Sequence, residues 1–312
     1  MRTCLVTGGG GFIGSHLATA LVERGDHVRV LDNFSTGRRK NVEHISGDIE
    51  LIEADVQDPD AVARAAKGAD CIFHQAALAS VPRSVKRPLD TNDACVAGTV
   101  NLLNEARKAN VRRVVYAASS SAYGDQPFAS KREADMPGPL SPYAAAKLAG
   151  ELYCQAFYHT YGIETVALRY FNVFGPRQDP DSPYSAVIPI FITRLLSGKR
   201  PVVYGDGHQS RDFTFVANVV DANLLAADAD GVAGRTLNAA NGRTTTLLRL
   251  LELLNELLET DVEPVFEPPR VGDVRESLAD ITAARTMLGF EPQVSFEDGL
   301  RRSIEYYRSV AR

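Results

Sequence analysis

Tyr143 and Lys147 stand four residues apart and form the pair best suited, by residue type and spacing, to move a proton. Both lie near the start of a helical pattern that follows Ser141 and Pro142, and residues four apart share one face of a helix. The pKa of a free tyrosine phenol is about 10, and a nearby cation lowers it. The pair therefore predicts a tyrosine general base beside an ammonium group, although the same spacing also occurs in ordinary helices.

Three consecutive serines precede this pair and follow an apolar run over residues 113–118 that predicts a strand. Ligands of open parallel sheets bind outside the carboxyl ends of the strands. We therefore expect the hydroxyls of Ser119, Ser120 and Ser121 to lie near Tyr143 at one edge of a sheet.

A glycine-rich turn over residues 7–14 is placed to bind a dinucleotide at that edge. It follows a short apolar run and precedes a helical pattern, which is the context that such a turn requires. Gly8, Gly11 and Gly14 have GxxGxxG spacing, which lets backbone N–H groups approach a pyrophosphate at the helix N-terminus. A glycine-rich turn can also serve only to reverse the chain.

Acidic residues at the ends of the next two predicted strands suit the adenosine part of such a cofactor. Asp32 is placed to bond the ribose hydroxyls and to repel a 2′-phosphate, which favours NAD over NADP. The basic run 38–40 could instead bind a phosphate, but basic runs on loops are more often solvated. Asp55 and Val56 could bond the adenine edge, or could form an ordinary turn after a strand.

The elements that position these residues alternate between strand and helix. The predicted strands cover 4–6, 27–32, 49–55, 70–76, 113–118 and 165–170, and helical patterns include 12–24, 59–67, 90–109 and 143–161. This alternation predicts an α/β fold with a Rossmann-type doubly wound parallel sheet. We assign 1–174 to the dinucleotide-binding domain and 175–312 mainly to a smaller C-terminal α/β substrate-binding lobe, leaving open a return of the chain to the sheet.

Helical patterns over 217–229, 247–258 and 296–308 belong to that second lobe, and the leucines of 247–258 are expected to pack in its core.

Composition excludes several classes of protein. The net charge of −5 offers no electrostatic footprint for nucleic acid. No apolar run reaches the roughly 18 residues of a membrane span, and the first residues resemble a core strand rather than a signal peptide. Four scattered cysteines lack metal-ligand spacing. We expect a cytoplasmic protein with reduced thiols and no metal.

Taken together, these segments resemble the extended short-chain dehydrogenase/reductases. The resemblance rests on residues 7–14, 32–37 (DNFSTG), 55–56 (DV), 74–77 (HQAA), 119–124 (SSSAYG), 143–147 (YAAAK) and 169–172 (RYFN). Later segments, 205–213 (GDGHQSRDF) and 270–273 (RVGD), resemble the UDP-sugar-binding segments of nucleotide-sugar 4-epimerases. Residues 81–84 (VPRS) and 172–180 (NVFGPRQDP) look most like the bacterial UDP-N-acetylglucosamine 4-epimerases.

The resemblance implies a role for each matching residue. Tyr143 would take the proton of the sugar 4-hydroxyl, Lys147 would bond the nicotinamide ribose, and Ser119 would bond O4. The implied cofactor-binding residues are Gly8, Gly11, Phe12, Ile13, Gly14, Asp32, Asn33, Ser35, Thr36, Gly37, Asp55, Val56, Gln75, Ala76, Ala77, Ala79, Asn92, Tyr143, Lys147, Tyr170 and Val173.

The implied substrate-binding residues are Ala79, Ser80, Ser119, Ser120, Ser121, Tyr143, Asn172, Ala186, Val187, Val202, Tyr204, Arg211, Arg270, Asp273 and Ser277. Among them, Arg211 and Arg270 would hold the diphosphate with support from Asn172. Asp273 would bond the uridine ribose, and backbone groups of Val202 and Tyr204 would line the uracil. Ser277 would border the C2 substituent of the sugar, where a serine leaves room for an N-acetyl group.

The implied reaction is 4-epimerisation of a UDP-sugar: transient oxidation at C4, rotation of the 4-keto sugar, and re-reduction on its other face. UDP-N-acetylglucosamine is the expected substrate, and UDP-glucose is also expected to be accepted. A UDP-uronic acid is an alternative for which Arg83 or Arg177 could bind the carboxylate. A nucleotide-sugar dehydratase or decarboxylase would carry acidic residues where Ser120 and Ser121 stand, and a non-catalytic NAD-binding regulator would tolerate loss of Tyr143.

The family resemblance also implies a homodimer in which helices over 90–109 and 143–161 pack across a two-fold axis. The apolar residues available there, which would equally suit contacts within one chain, are Leu102, Leu103, Ala106, Leu152, Ala156 and Phe157.

Overall fold

A parallel sheet of seven strands forms the centre of the structure, a computed structural model that describes residues 1–126, 130–180, 186–269 and 274–310. The strands along the chain are β1 Thr3–Thr7, β2 His27–Asp32, β3 Ile49–Glu53, β4 Cys71–His74, β5 Arg113–Ser119, β6 Glu164–Tyr170, β7 Val173–Phe174, β8 Val202–Tyr204, β9 Ser210–Arg211, β10 Thr214–Phe215, β11 Arg235–Ala239, β12 Thr245–Thr246, β13 Val265–Glu267 and β14 Glu276–Ser277. The central sheet has the order β3-β2-β1-β4-β5-β6-β11. Its strand order reverses between β1 and β4, which is where doubly wound sheets bind ligands.

Eleven α-helices lie among the described residues and cover both faces of this sheet or build the second lobe. They are α1 Phe12–Glu23, α2 Pro59–Ala66, α3 Val81–Lys86, α4 Pro88–Asn92, α5 Gly98–Lys108, α6 Pro142–Tyr161, α7 Val187–Leu196, α8 Val216–Asp228, α9 Leu247–Leu258, α10 Thr282–Leu288 and α11 Phe296–Val310. None of these described helices is long and apolar enough to cross a bilayer.

The predicted doubly wound sheet is confirmed, because all six predicted strands are present in parallel order. The side chains of the inner strands β1, β4 and β5 are buried on both faces: Val6, Phe73 and Val115 lie in one apolar cluster, and Leu5, Ile72 and Val114 lie in the other. Such two-sided burial explains why these strands read as continuous apolar runs rather than alternating ones.

The single helix predicted over 90–109 is wrong in detail. The structure has α4, then a π-helical turn at Asp93–Ala97, and then α5. Leu102, Leu103 and Ala106 of α5 are fully buried within the chain, so they are unavailable to a partner. Phe157 is likewise buried, whereas Leu152 and Ala156 of α6 are exposed.

Helix α6 carries the candidate base and is fixed at both ends. The Ser141 hydroxyl caps its N-terminus by accepting the N–H of Ala144 at 3.2 Å, and Pro142 occupies the first turn. Gly162 ends the helix in the left-handed conformation, with φ of 75°. These local signals set the position of α6 against strand β5.

The second lobe has its own apolar core between α7, α9 and α11. Phe213 and Phe296 stack with ring centroids 5.5 Å apart, and Phe174 packs edge-on against Phe296 at 5.4 Å. The leucines of α9 face this core, as predicted: Leu250 and Leu254 are fully buried.

The chain also returns to the central sheet after entering the second lobe. Strand β11 pairs with β6 at the sheet edge, and α8 packs against α1. The division of the chain at residue 174 remains a proposal, since β11, which lies beyond that point, completes the central sheet.

Candidate active site

Tyr143, Lys147 and Ser119 meet at the carboxyl end of β5. The Tyr143 hydroxyl is hydrogen-bonded to Ser119. The Lys147 Nζ donates to the carbonyl oxygen of Ala117 at 2.8 Å and lies 5.0 Å from the ring centroid of Tyr116. The Ser119 Oγ lies 2.8 Å from the Ser121 Oγ. Phenol, ammonium and hydroxyl therefore lie together, as the i, i+4 spacing and the strand end predict.

The sequence predicts that Lys147 lowers the pKa of Tyr143, whereas the folded protein raises this pKa. Burial raises the pKa of Tyr143 above its ordinary value, the nearby Cys95 raises it further, and the bond from Ser119 only partly offsets this. Burial also lowers the pKa of Lys147. Burial therefore favours the neutral phenol of Tyr143, and a positive charge nearby would act in the opposite direction.

The glycine turn forms a cradle into which no side chain would fit. Gly8 has φ of +67°, and a Cβ on it would lie 2.6 Å from the backbone nitrogen of Ala76. A Cβ on Gly14 would lie 2.2 Å from the Gly8 carbonyl oxygen. The turn leads into the N-terminus of α1, where free N–H groups favour an anion such as the NAD pyrophosphate. The residues present therefore fit the expected dinucleotide.

Asp32 organises the adenosine side of this cradle. Its carboxylate accepts the N–H of Gly10 at 2.8 Å and of Phe34 at 2.7 Å. Burial raises the pKa of Asp32, and these two bonds act in the opposite direction. A Cβ on Gly37 would lie 2.9 Å from the same carboxylate, so Gly37 packs against it. Asp32 has remaining lone pairs for ribose hydroxyls, and Asn33 donates to Asp55 at 2.6 Å.

A cavity of about 700 Å³ joins the cradle to the catalytic group. Predicted residues that line it are Gly8, Gly11, Phe12, Ile13, Gly14, Asp32, Asn33, Ser35, Thr36, Asp55, Val56, Gln75, Ala76, Ala77, Ala79, Ser80, Tyr143, Lys147, Tyr170 and Ala186. Most of the residues predicted to bind the cofactor are thereby brought together around one space.

Several predicted residues lie elsewhere. Asn92 is exposed and donates to Asp93, whereas Ala94 of the π turn lines the cavity in its vicinity. Ser119, Ser120 and Ser121 do not belong to the cavity wall in the described structure; Ala117, Ala118 and Tyr143 do.

A second cavity of about 390 Å³ adjoins the first at Ala186, which lines both. Six residues predicted for the substrate line it: Asn172, Ala186, Val187, Val202, Tyr204 and Arg211. Val173, predicted for the cofactor, lines this second cavity instead. The Asn172 amide donates to the carbonyl oxygen of Asp212 at 3.1 Å, which leaves its other N–H for a ligand.

Three further residues predicted for the substrate are Arg270, Asp273 and Ser277. Ser277 lies on β14, directly beside Arg211 of β9, and does not line either cavity in the described structure. Arg270 and Asp273 lie outside the described residues. The pairing of β9 with β14 therefore links the predicted diphosphate-binding arginine to the predicted neighbour of the C2 substituent.

Asp212 holds these strands together and was not predicted from the sequence. It is fully buried, and its carboxylate accepts N–H groups of Asn241 at 2.9 Å, Gly242 at 3.0 Å and Ala279 at 3.3 Å. Its own N–H donates to the Ser277 carbonyl oxygen at 2.7 Å. Burial raises the pKa of Asp212 to about 7, against the lowering effect of the backbone bonds. Asp212 is thus a junction of three segments around the second cavity.

Helix α6 carries a further polar residue, Glu151, on the face of Tyr143 and Lys147. Glu151 forms a buried ion pair with Arg169 of β6 at 2.8 Å, and the Arg169 guanidinium lies 4.4 Å from the ring centroid of Tyr123. Four-residue spacing from Lys147 could have indicated this position, but the partner comes from a distant strand. This ion pair fixes α6 against strand β6, on the C-terminal side of Tyr143 and Lys147.

Four cations line the first cavity within the described part of the chain: Arg38, Arg83, Lys147 and Arg177. Arg38 pairs with Asp179 at 2.7 Å, and Lys147 donates to a backbone carbonyl. Arg177 contacts Thr19 and His44. The guanidinium of Arg83 makes no hydrogen bond or ion pair with any described residue, so it is the cation available to a ligand.

Known proteins resemble this chain over its whole length. The profile of the NAD dependent epimerase/dehydratase family matches residues 4–240. A UDP-glucose 4-epimerase of Mycolicibacterium smegmatis is 40% identical over 317 residues, covering 100% of both chains. A solved UDP-N-acetylglucosamine 4-epimerase from Methanobrevibacter ruminantium M1, in complex with UDP-N-acetylmuramic acid, is 41% identical, with a TM-score of 0.95 and 99% of each chain covered. The UDP-glucose 4-epimerase from Thermotoga maritima, solved with UDP-glucose, is 38% identical, with a TM-score of 0.94 and coverage of 99% of this chain and 100% of that one.

Proposed function

Because the chain belongs to the NAD-dependent epimerase/dehydratase family, we propose that it inverts C4 of a UDP-sugar. The proposed pair is UDP-N-acetylglucosamine and UDP-N-acetylgalactosamine, with UDP-glucose and UDP-galactose also accepted. One observation carries this proposal: Tyr143, bonded to Ser119, lines the same cavity as the dinucleotide cradle, and this cavity adjoins the one lined by Arg211. The arrangement supports a cofactor, a base and a diphosphate-binding arginine acting on one substrate.

The residues of the chain divide the work of the proposed reaction. NAD, when bound, would supply the oxidation of C4 and the subsequent reduction of the 4-keto sugar, with no net change in the cofactor. Tyr143 accepts the O4 proton during oxidation and returns it during reduction, while Ser119 offers a hydroxyl to the same oxygen. Arg211 holds the diphosphate by its fork of N–H donors, so that the 4-keto sugar can turn about this anchor.

The preference for an N-acetylated sugar rests on the small residues near the sugar end. Ser277 stands beside Arg211, and Ala79 and Ser80 line the first cavity near Ala186. None of these side chains is large, which supports a pocket that admits a C2 N-acetyl group. The M. ruminantium relative, which is a UDP-N-acetylglucosamine 4-epimerase, supports the same assignment.

Purified protein incubated with UDP-N-acetylglucosamine, without added NADH, should produce UDP-N-acetylgalactosamine at unchanged total sugar. Proton NMR of the anomeric signals measures this conversion directly. UDP-glucose and UDP-glucuronate serve as parallel substrates. Conversion of neither the acetylated nor the plain sugar would contradict the proposal.

Ser277→Tyr should reduce kcat/KM for the acetylated pair at least tenfold while changing that for UDP-glucose less than threefold, because a phenol would occupy the space beside C2. Ser277→Ala is the matched control and should leave kcat/KM for both substrates near the wild-type values. An equal loss with both substrates after Ser277→Tyr would show that Ser277 does not select the C2 substituent.

A UDP-uronic acid is the second candidate substrate, and the free guanidinium of Arg83 favours it. Arg83 follows Ser80 by three residues and lines the first cavity with it. Arg177, the other arginine considered, is held by Thr19 and His44. An arginine suits a carboxylate because its paired N–H groups match two oxygens. A solved UDP-glucuronic acid 4-epimerase from Bacillus cereus, 29% identical to this chain with a TM-score of 0.92, supports the same candidate.

Arg83→Gln should therefore lower kcat/KM for UDP-glucuronate about tenfold or more and leave that for UDP-glucose within about threefold, since a charge-assisted bond to a carboxylate is among the stronger polar contacts. Arg87→Gln is the control, because Arg87 lies on the same surface but pairs with Asp90. A wild-type protein inactive on UDP-glucuronate would exclude this second candidate without affecting the first.

We further propose that the protein forms a homodimer through α3, α4 and α6. We also propose that it is located in the cytoplasm. Val85, Leu89 and Leu152 expose 64%, 75% and 56% of their surfaces, and these three helices pack together. Contiguous exposed apolar side chains of this kind typically mark an interface. The cytoplasmic location is supported by four buried cysteines, all with free thiols.

Light scattering at micromolar concentration should give a mass twice the 33.8 kDa of the chain. Leu89→Glu should shift this mass toward that of a monomer, because a carboxylate would be buried at the proposed interface. Val310→Glu, on the exposed end of α11, should remain dimeric. A wild-type monomer would contradict the proposed dimer.

A further inference from the structure

Residues 175–180, here called the strap, contribute to the wall of the first cavity. The strap follows β7, and Arg177, Gln178 and Asp179 line the cavity. None of the three was expected to contact a cofactor. Contacts with helix α1, with the loop after β2 and with helix α11 hold the strap in place.

Two strap residues are tied to helix α1, which begins at the glycine cradle. The ring Nε2 of His16 bonds the Pro176 carbonyl oxygen at 2.9 Å. Burial lowers the pKa of His16 to about 4, so this ring is neutral and its N–H donates. Arg177 Nη1 donates to the Thr19 hydroxyl at 3.1 Å, and its Nη2 lies 2.8 Å from the His44 Nε2.

A third contact ties the strap to the loop after β2, on the adenosine side. Arg38 Nη2 and Asp179 Oδ2 lie 2.7 Å apart, and both side chains line the cavity. The Arg38 N–H in turn donates to the Gly10 carbonyl oxygen of the glycine turn at 2.8 Å. The ion pair therefore connects the strap, through the loop after β2, to the glycine turn.

The second lobe holds the strap from its other side. The Tyr307 hydroxyl of α11 donates to the Gln178 carbonyl oxygen at 2.6 Å, and the Gln178 amide donates to the Val173 carbonyl oxygen at 3.0 Å. Arg177 itself has φ of +66°, a left-handed conformation that is uncommon for a residue with a side chain. Such a conformation persists where surrounding contacts fix it.

We propose that the strap retains NAD, and that Arg177 and Asp179 set how fast the cofactor dissociates. For NAD to leave, the strap must separate from α1 and from the loop after β2. The UDP part of the substrate does not need this movement, because the described lining of the second cavity includes no strap residue. This inference rests on the NAD dependence of the family and not on which UDP-sugar is the substrate.

Retention of this kind suits a reaction that leaves its cofactor unchanged. The hydride taken from C4 returns to the same carbon, so one bound NAD serves every turnover. Substrate and product must exchange in each cycle, whereas the cofactor need not. Separate routes for the two ligands meet both requirements.

The test is the rate at which NAD leaves the protein. Holoprotein freed of unbound cofactor is diluted into yeast alcohol dehydrogenase and ethanol, which convert released NAD⁺ to NADH, and absorbance at 340 nm follows the release. We expect Arg177→Gln to accelerate release about tenfold, because it removes two contacts of a half-buried guanidinium. Asp179→Asn should accelerate it about threefold, as expected for a more exposed ion pair.

Arg39→Gln is the matched control. Arg39 neighbours Arg38 but pairs with Glu53 and is absent from the cavity wall of the described structure. Thr19→Val removes the acceptor on α1 without altering the strap, and it should reproduce part of the Arg177→Gln effect even if that variant folds poorly. The UDP dissociation constant, measured by calorimetry, should stay within twofold of the wild type in all variants.

Release rates for Arg177→Gln, Asp179→Asn and Thr19→Val equal to that of Arg39→Gln would overturn the proposal. Equal loss of NAD and UDP binding would also overturn it, because that result would indicate general loosening of the protein. A protein that retains NAD normally but epimerises no UDP-sugar would refute the proposed reaction and leave the role of the strap intact.

Discussion

Tyr143→Phe should lower kcat for epimerisation about a thousandfold, because a positioned general base typically contributes between about a hundredfold and ten thousandfold. The ring would keep its place in the wall of the cavity, while the hydroxyl proposed to take the O4 proton would be gone. Since Ser119 is half-buried and keeps its contact with the Ser121 hydroxyl at 2.8 Å, the fold should be unaffected. NMR of the UDP-sugar measures the rate.

Tyr153→Phe is the matched control, because Tyr153 lies on the same helix α6 with 41% of its surface exposed. This variant should retain the full rate. Both variants should carry the same amount of NAD per chain, measured after denaturation, which separates proton transfer from cofactor binding. Retention of more than a tenth of wild-type kcat by Tyr143→Phe would rule out this residue as the base.

Asp212→Asn should destabilise the protein by roughly 1–3 kcal/mol and weaken UDP binding at least tenfold. The reason is geometric: the carboxylate oxygens face the N–H groups of Asn241, Gly242 and Ala279, and an amide would turn its own N–H donors toward one of them. A buried donor left without an acceptor costs roughly 1–3 kcal/mol. Because Asp212 adjoins Arg211 and bonds Ser277, the loss should also disturb the diphosphate site.

Denaturant unfolding and calorimetry with UDP measure the two effects. Asp280→Asn is the control: Asp280 lies in the segment next to Ala279 and accepts the N–H of Thr282, a role that asparagine performs equally well. Stability and UDP affinity of Asp212→Asn both equal to those of Asp280→Asn would mean that the buried carboxylate does not organise the second cavity.

The predictions that succeeded from sequence depend on local signals. The strands β1 and β2 and the glycine turn could be located because apolar runs, glycine spacing and helix caps are properties of adjacent residues. The Tyr143 and Lys147 pair followed from helical geometry alone. The leucines of α9 were correctly expected in a core, because their spacing repeats with the helix period.

What the sequence could not supply are contacts between distant segments. Asp212 and the strap residue Arg177 find their partners in segments far away along the chain, so no spacing reveals them. The raised pKa of Tyr143 also escaped prediction, because it reflects burial in the folded protein rather than the charge of the nearby Lys147. The expectation for Asn92 came from the family resemblance, and the structure places this residue at the surface, where it donates to Asp93.

That π turn can also be described as a change of rotational phase. An α-helix advances about 100° per residue, and a π turn accommodates an extra residue in one turn. Residues of α5 are therefore rotated by about a quarter turn relative to a continuous helix from α4. This offset lets one run of chain present Ala94 to the cofactor cavity and Leu102 to the core of the sheet. A regular α-helix of the same length would turn either the cavity wall or the core face away from its partner.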